Sequence, residues 1–117
     1  MGKRHPNLPA WQWRTYPQHH QHPANLALHM IAVPLFIVGF LLIASGVFSL
    51  SLISFAIGVV GIVAGLALQR QGHRLEARAS EPFSDTQDAI QRLVLEQFVT
   101  FPRFVLSGAW LKAWRQR

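Results

Sequence analysis

Four of the chain's six histidines fall within HHQHPANLALH, residues 19 to 29, and another, His73, stands in QRQGHRLEARASEPF beyond a long apolar stretch. Imidazole nitrogens bind first-row divalent metals. Three histidines, or two with a carboxylate and open coordination positions, suit iron and oxygen chemistry, with zinc as the competitor. Asn25 and His29 are four residues apart and share a helix face, and Gln69, His73 and Glu76, spaced by four and three, do likewise. The spacing alone leaves other readings open. The chain has no HExxH, and one His-x-x-Glu is weaker than the repeated Glu-x-x-His of di-iron bundles. His19, His20 and His22 also read as a solvated loop, and His29 and His73 as polar residues reaching the interface from helix ends. Glu76 reads equally as an ion-pair partner of Arg74 or Arg78, and Asn25 as a first-turn hydrogen-bonding residue.

The elements that must position these residues are apolar. Half of the 117 residues are hydrophobic and only 14% are charged, and nearly all the charges lie outside residues 30 to 68. Residues 30–48 and 50–68 carry no charge. At about 1.5 Å per residue each run reaches ~28 Å, close to a hydrocarbon core of ~30 Å. The expected fold is therefore an all-α membrane protein in one domain, built on an antiparallel transmembrane hairpin. Its connector lies around Ser45, Gly46, Ser49 and Ser51, and some thirty polar residues precede it, unlike a signal peptide. Such a hairpin brings the start of the first span and the end of the second to one membrane depth, and with them His29 and His73. Pro23 suits a first helical turn, which makes His22 a cap-region residue and leaves His19 and His20 in a loop able to fold over the site. Pro34 is a place for the first span to bend.

Lys3, Arg4 and Arg14 precede the hairpin and Arg70, Arg74 and Arg78 follow it, so the positive-inside rule puts both ends in the cytoplasm. The membrane would be the inner membrane in a bacterium and the endoplasmic reticulum in a eukaryote. Gly58, Gly61 and Gly65 form a small-residue face for helix packing, against the partner span or a second copy of the chain. The net charge of +6 comes from singly scattered basic residues without interleaved aromatics, which argues against nucleic acid, and the absence of cysteine excludes disulfides and thiolate chemistry. The first seven residues are expected to be loose, with Trp11, Trp13 and Tyr16 as interfacial anchors in a lead-in over residues 1–29. Ser84 and Gln87 fit a capping box for an amphipathic helix over residues 85–101, ending before Pro102, with Ile90, Leu93, Val94 and Phe98 as its apolar stripe. Residues 103–115, with Trp110 and Trp114 among Arg103, Lys112 and Arg115, suit an interfacial helix on anionic headgroups.

The run from Tyr16 through His20, Pro23, Asn25, His29 and Pro34, followed after one apolar hairpin by Gly72, His73 and Glu76, resembles the Mpo-like family of small membrane proteins related to the fungal 2-hydroxy fatty acid dioxygenase. The similarity covers roughly residues 11 to 83, and the C-terminal continuation is more like short bacterial members. The resemblance implies iron(II)-dependent alpha-oxidation, in which a 2-hydroxy fatty acid reacts with oxygen, loses carbon dioxide and becomes one carbon shorter. It implies His20, His29 and His73 as iron ligands, while proximity to the helix cap leaves His22 open as the alternative to His20. Glu76 is then a fourth ligand or a base, and Asn25 an orienting group. Arg70 or Arg74 is placed to hold the substrate carboxylate. Two other classes remain: a haem protein with His29 and His73 as axial ligands, and a non-catalytic membrane scaffold.

Overall fold

The computed structural model describes residues 5–116, all of its regular elements being helical. Lys3, Arg4 and Arg117 lie outside the described residues. Helix α1 (Leu8–Thr15) starts at Asn7, whose side-chain oxygen accepts the Ala10 N–H, and runs into a 3-10 turn, Tyr16–His19. His5, within the segment expected to be loose, stacks on Trp11 at 3.8 Å and lies 2.7 Å from the Glu81 carboxylate. Helix α2 (Pro23–Phe48) begins at the His22 N-cap and continues through Pro34, and α3 (Leu52–His73) begins at the Ser51 N-cap. Both pass the length and apolarity needed to cross a membrane. Each extends beyond its charge-free run, α2 by seven residues at its start and α3 by five at its end, and Asn25, His29 and Gln69 in those extensions are buried.

The two helices run antiparallel and very close. A Cβ on Gly58 would lie 2.5 Å from the Gly39 carbonyl oxygen, and one on Gly65 2.9 Å from that of Ala32. The glycine face that could have met a second copy is thus covered by the chain's own α2. The turn between them is Ser49 to Ser51, with Leu50 at φ 55, while Ser45 and Gly46 belong to α2. The outer faces stay apolar and exposed, among them Ile31, Val38, Leu41, Ile53, Val60 and Val63.

The C-terminal third departs from expectation in three ways. Helix α4 (Thr86–Leu95) is capped by Asp85, not Ser84: Asp85 accepts the Asp88 N–H, and Asp88 accepts the Ser84 N–H at 2.9 Å. A carboxylate one residue later caps the helix as well as a serine hydroxyl would and adds a favourable negative charge at its N-terminus. The helix does not stop before Pro102. It passes through a π segment, Glu96–Thr100, into α5 (Phe101–Leu106), where Pro102 occupies the first turn and needs no N–H partner. Its faces are also inverted relative to a surface helix: Asp88, Arg92, Glu96 and Gln97 are buried, while Ile90, Val94 and Phe98 are exposed.

Helix α6 (Ala109–Arg115) starts at Gly108, whose φ of 86 suits glycine. It turns its tryptophans inward. Trp110 donates from Nε1 to the Leu26 carbonyl at 3.1 Å and stacks with Trp114, leaving Lys112 and Arg115 exposed. Both rings pack on the core of Tyr16, Leu26, Val33, Phe101 and Phe104. Complete burial of Leu26 and Phe104 contributes about 1.5–3 kcal/mol each. This core sits beside the inner ends of α2 and α3 and holds the 3-10 turn against α2.

Candidate metal centre

His20, His29, His73 and Glu96 each offer one ligand atom, and these atoms lie within 4.8 Å of one another. Each comes from a different element: His20 follows the 3-10 turn, His29 is in the second turn of α2, His73 ends α3, and Glu96 opens the π segment. The three imidazoles meet edge to face, every pair with ring centroids 4.8 Å apart.

The protons on these rings can be assigned from their partners. His20 Nδ1 lies 2.8 Å from the Tyr16 carbonyl oxygen, and His29 Nδ1 3.2 Å from that of Asn25. A carbonyl only accepts, so each Nδ1 carries the hydrogen, and in the neutral ring each Nε2 presents a lone pair. Both Nε2 atoms are buried without a hydrogen-bond partner, and both face Glu96 Oε2, at 3.4 Å from His20 and 3.2 Å from His29. His73 Nδ1 is buried and unpartnered as well. Burial pulls the His20 imidazole below its ordinary value, against the pull of Glu96, and repulsion from His29 adds to that, so the ring is neutral at pH 7. Burial alone would raise the Glu96 carboxyl, but hydrogen bonds and charge from the His20 and His29 rings, when these are protonated, outweigh this and hold it well below the usual range; with the rings neutral, its donor is the Tyr16 hydroxyl. Lone pairs of nitrogen and of an ionised carboxylate therefore converge on one point. Such a donor set fits a single divalent cation, and nitrogen with carboxylate oxygen suits iron or zinc.

The outer contacts orient these donors. Tyr16 stacks on His20 at 3.7 Å and donates its hydroxyl to Glu96 Oε2 at 2.7 Å; burial and the neighbouring carboxylate push the phenol well above its ordinary value, so it remains a donor. Gln69 and Gln97 exchange hydrogen bonds of 2.8 and 2.9 Å, which ties α3 to the π segment beside Glu96. Gln12 donates to the Arg92 carbonyl at 3.0 Å and accepts from the Thr100 hydroxyl, which ties α1 to the same segment.

Residues 9–107 match the family model described as 2-hydroxy-palmitic acid dioxygenase Mpo1-like. The chain belongs to this Mpo1-like family. No curated protein and no solved structure gives a match.

In this Mpo1-like chain the residues singled out from the sequence divide into two groups. His20, His29 and His73 come together. His22 does not join them: it caps α2, its Nδ1 accepting the Ala24 N–H at 3.1 Å. Glu76, expected as a fourth ligand or base, also lies outside the group, because the loop before α2 uses its carboxylate. It accepts the N–H groups of Gln21 and His22 at 2.9 Å and the Asn25 amide at 2.7 Å. Asn25 is completely buried and donates to the His19 carbonyl at 3.2 Å as well, so it fastens the His20 loop from behind. Arg70 and Arg74 line a cavity of about 630 Å³ that reaches His20, His73 and Glu96. Sequence reasoning missed Glu96 and took Tyr16 for an anchor. The available signal was the four-residue repeat Asp88, Arg92, Glu96, a polar stripe ending inside the apolar run LVLEQFVTF.

Proposed function

We propose that this chain is an iron(II)-dependent dioxygenase acting in alpha-oxidation of 2-hydroxy fatty acids, removing the carboxyl carbon as carbon dioxide and leaving an acid one carbon shorter. The observation that carries this reading is the convergence of unpartnered lone pairs from His20 and His29 on the Glu96 carboxylate, with His73 alongside. His20, His29, His73 and Glu96 would hold the metal, whose chemistry when bound is the activation of oxygen and of a chelating 2-hydroxycarboxylate. Tyr16 fixes the Glu96 carboxylate and the His20 ring. Gln69 and Gln97 hold the carboxylate's helix against α3. Arg70 and Arg74 supply cations for the substrate carboxylate at the cavity wall. Zinc is the alternative occupant of the same donors. The mutual edge contacts of the three rings leave no flat slot between His29 and His73 for a haem macrocycle, which favours a single ion.

In this reading α2 and α3 cross the bilayer with the metal centre at the cytoplasmic boundary, beside Arg70, Arg74 and Arg78, and both termini on that side. The exposed apolar faces of both helices support a lipid surrounding, from which a fatty acid reaches the site without a soluble carrier. The membrane is the inner membrane in a bacterium or the endoplasmic reticulum in a eukaryote. Iron-loaded protein in detergent, given 2-hydroxyhexadecanoate and oxygen, should release carbon dioxide and the acid one carbon shorter, read by mass. The His29→Ala/His73→Ala double variant should do neither and should hold no iron. Equal and negligible iron in the two preparations, measured by elemental analysis, would end the metal reading.

A further inference from the structure

The cavity beside the metal centre is not uniform in polarity. Leu66 and Arg70 line it from α3 and Arg74 from that helix's C-cap, and the three, spaced by four, follow one another along its edge. Leu66 is about 12 Å from Arg74 along the axis, at ~1.5 Å per residue. The cationic end lies where α3 ends. The apolar end lies toward the charge-free run, where the stripe's neighbours Val59 and Val63 are exposed. Leu93 lines the same cavity from α4, and both leucines are half-buried.

Another part of the wall, Ala79 to Phe83, is tied down. Arg92 donates to the carbonyls of Glu81 and Pro82 at 2.7 and 3.2 Å, and its guanidinium lies over the rings of Phe83 and Trp11 at 4.5 and 5.0 Å. His5 holds the Glu81 carboxylate. Leu66 and Leu93, being apolar, form no such tie across the cleft between α3 and α4. The guanidinium groups of Arg70 and Arg74 have no ion-pair partner among the described residues. One wall therefore runs from free cations to an open apolar cleft, the shape of an anionic single-chain amphiphile.

We propose that the substrate's acyl chain leaves the metal centre through the cleft between α3 and α4, over Leu66 and Leu93, and that these two leucines set the chain-length preference. This rests on the fatty-acid reading above. The carboxylate end lies toward Arg70 and Arg74 and the tail toward lipid. A bulky residue at either leucine blocks a long tail while leaving room for an acid whose chain ends before Leu66.

The test uses detergent-solubilised full-length protein loaded with iron, a fluorescent fatty acid as the bound probe, and displacement by 2-hydroxyhexadecanoate or 2-hydroxybutanoate. In Leu66→Trp and Leu93→Trp the long acid should displace the probe at least about tenfold less well relative to the short acid than in the unmodified protein, with iron content unchanged. Both variants shifting the two acids equally, or neither acid at all, would overturn the channel. So would failure of the long acid to displace the probe from the unmodified protein. The two readings fail separately: displacement without turnover keeps the channel and removes the reaction, whereas turnover in chain-length-blind tryptophan variants keeps the reaction and removes the channel.

Discussion

Replacing Glu96 by glutamine separates a metal centre from a buried ion pair. Glu96 Oε2 accepts the Tyr16 hydroxyl at 2.7 Å and faces two imidazole lone pairs at 3.4 and 3.2 Å. With the metal absent, an amide nitrogen at that position donates to both rings, gaining two hydrogen bonds of about 1 kcal/mol each. It also removes the acceptor of the Tyr16 hydroxyl, a bond to a charged group of about 1.5–3 kcal/mol. These terms nearly cancel, so the stability of metal-free Glu96→Gln should lie within ~1 kcal/mol of the unmodified chain. If the histidines were instead protonated partners of Glu96, the same substitution would strand buried charge and cost about 3–5 kcal/mol. At roughly 4 °C per kcal/mol for a domain near this size, thermal melts in detergent distinguish the two outcomes easily. Metal affinity, titrated in parallel, should fall at least about 100-fold, because a ligand is lost and not merely an outer contact. A metal-free variant that melts some 12 °C or more below the unmodified protein would refute the proton assignment and, with it, the argument for a cation.

Two further outcomes follow from the same geometry. The His20 value is lowered from that of free imidazole, so the folded chain binds a proton there less readily than the unfolded chain. The stability this gives is complete above the unfolded value near 6.5 and is lost as pH falls through the lower folded value. Glu96, also lowered, adds a loss of the same sign at more acid pH. Melting temperature of the metal-free protein should therefore be flat from pH 8 to 7 and fall steadily below about 6.5; a maximum near pH 5.5 would contradict this. Glu76→Gln should loosen the loop before α2, since three N–H donors lose an ionised acceptor, and weaken metal affinity about tenfold through His20. Saturating metal should still fill the site, as elemental analysis would report, whereas a Glu76 that ligated the metal directly would leave a far larger deficit.

His20, His29 and His73 were legible because a charge-free run between two polar segments admits one arrangement: an antiparallel hairpin that returns the second polar segment to the depth of the first. Glu76 misled because spacing identifies a helix face only while the helix lasts, and α3 ends at His73. Beyond it Glu76 turns back onto Gln21, His22 and Asn25. Glu96 was hidden for a different reason. An amphipathic helix is ordinarily read with its polar face in water, whereas α4 and the π segment that continues it bury Asp88, Arg92 and Glu96 and expose Ile90, Val94 and Phe98. Its direction also depends on the π segment, in which the Phe101 N–H reaches back five residues to the Glu96 carbonyl. Tighter α-helical spacing would carry Phe101 and Phe104 to different angles relative to Glu96, so the carboxylate could not meet the histidines while both rings stay in the core.

The alignment of His29 with His73 has its own cause in the seam between α2 and α3. Gly58, Gly65 and Gly72 are spaced by seven, and a Cβ on each would strike, in turn, Gly39, Ala32 and Asn25, which descend α2 by the same seven. A seven-residue step is nearly two helical turns, so these contacts stay on one line and fix the axial register of the pair. The lack of side chains at Gly58 and Gly65 lets the backbones touch, which makes the register insensitive to rotamer changes. At Gly72 the seam reaches the candidate metal centre: a Cβ there would collide with Asn25 Oδ1, the side chain that binds Glu76 and the His19 carbonyl. His73 is the next residue, and His29 lies one turn beyond Asn25. The glycine seam and the histidine site are therefore one structure, in which close backbone packing through the apolar span sets the spacing of donors at its polar end.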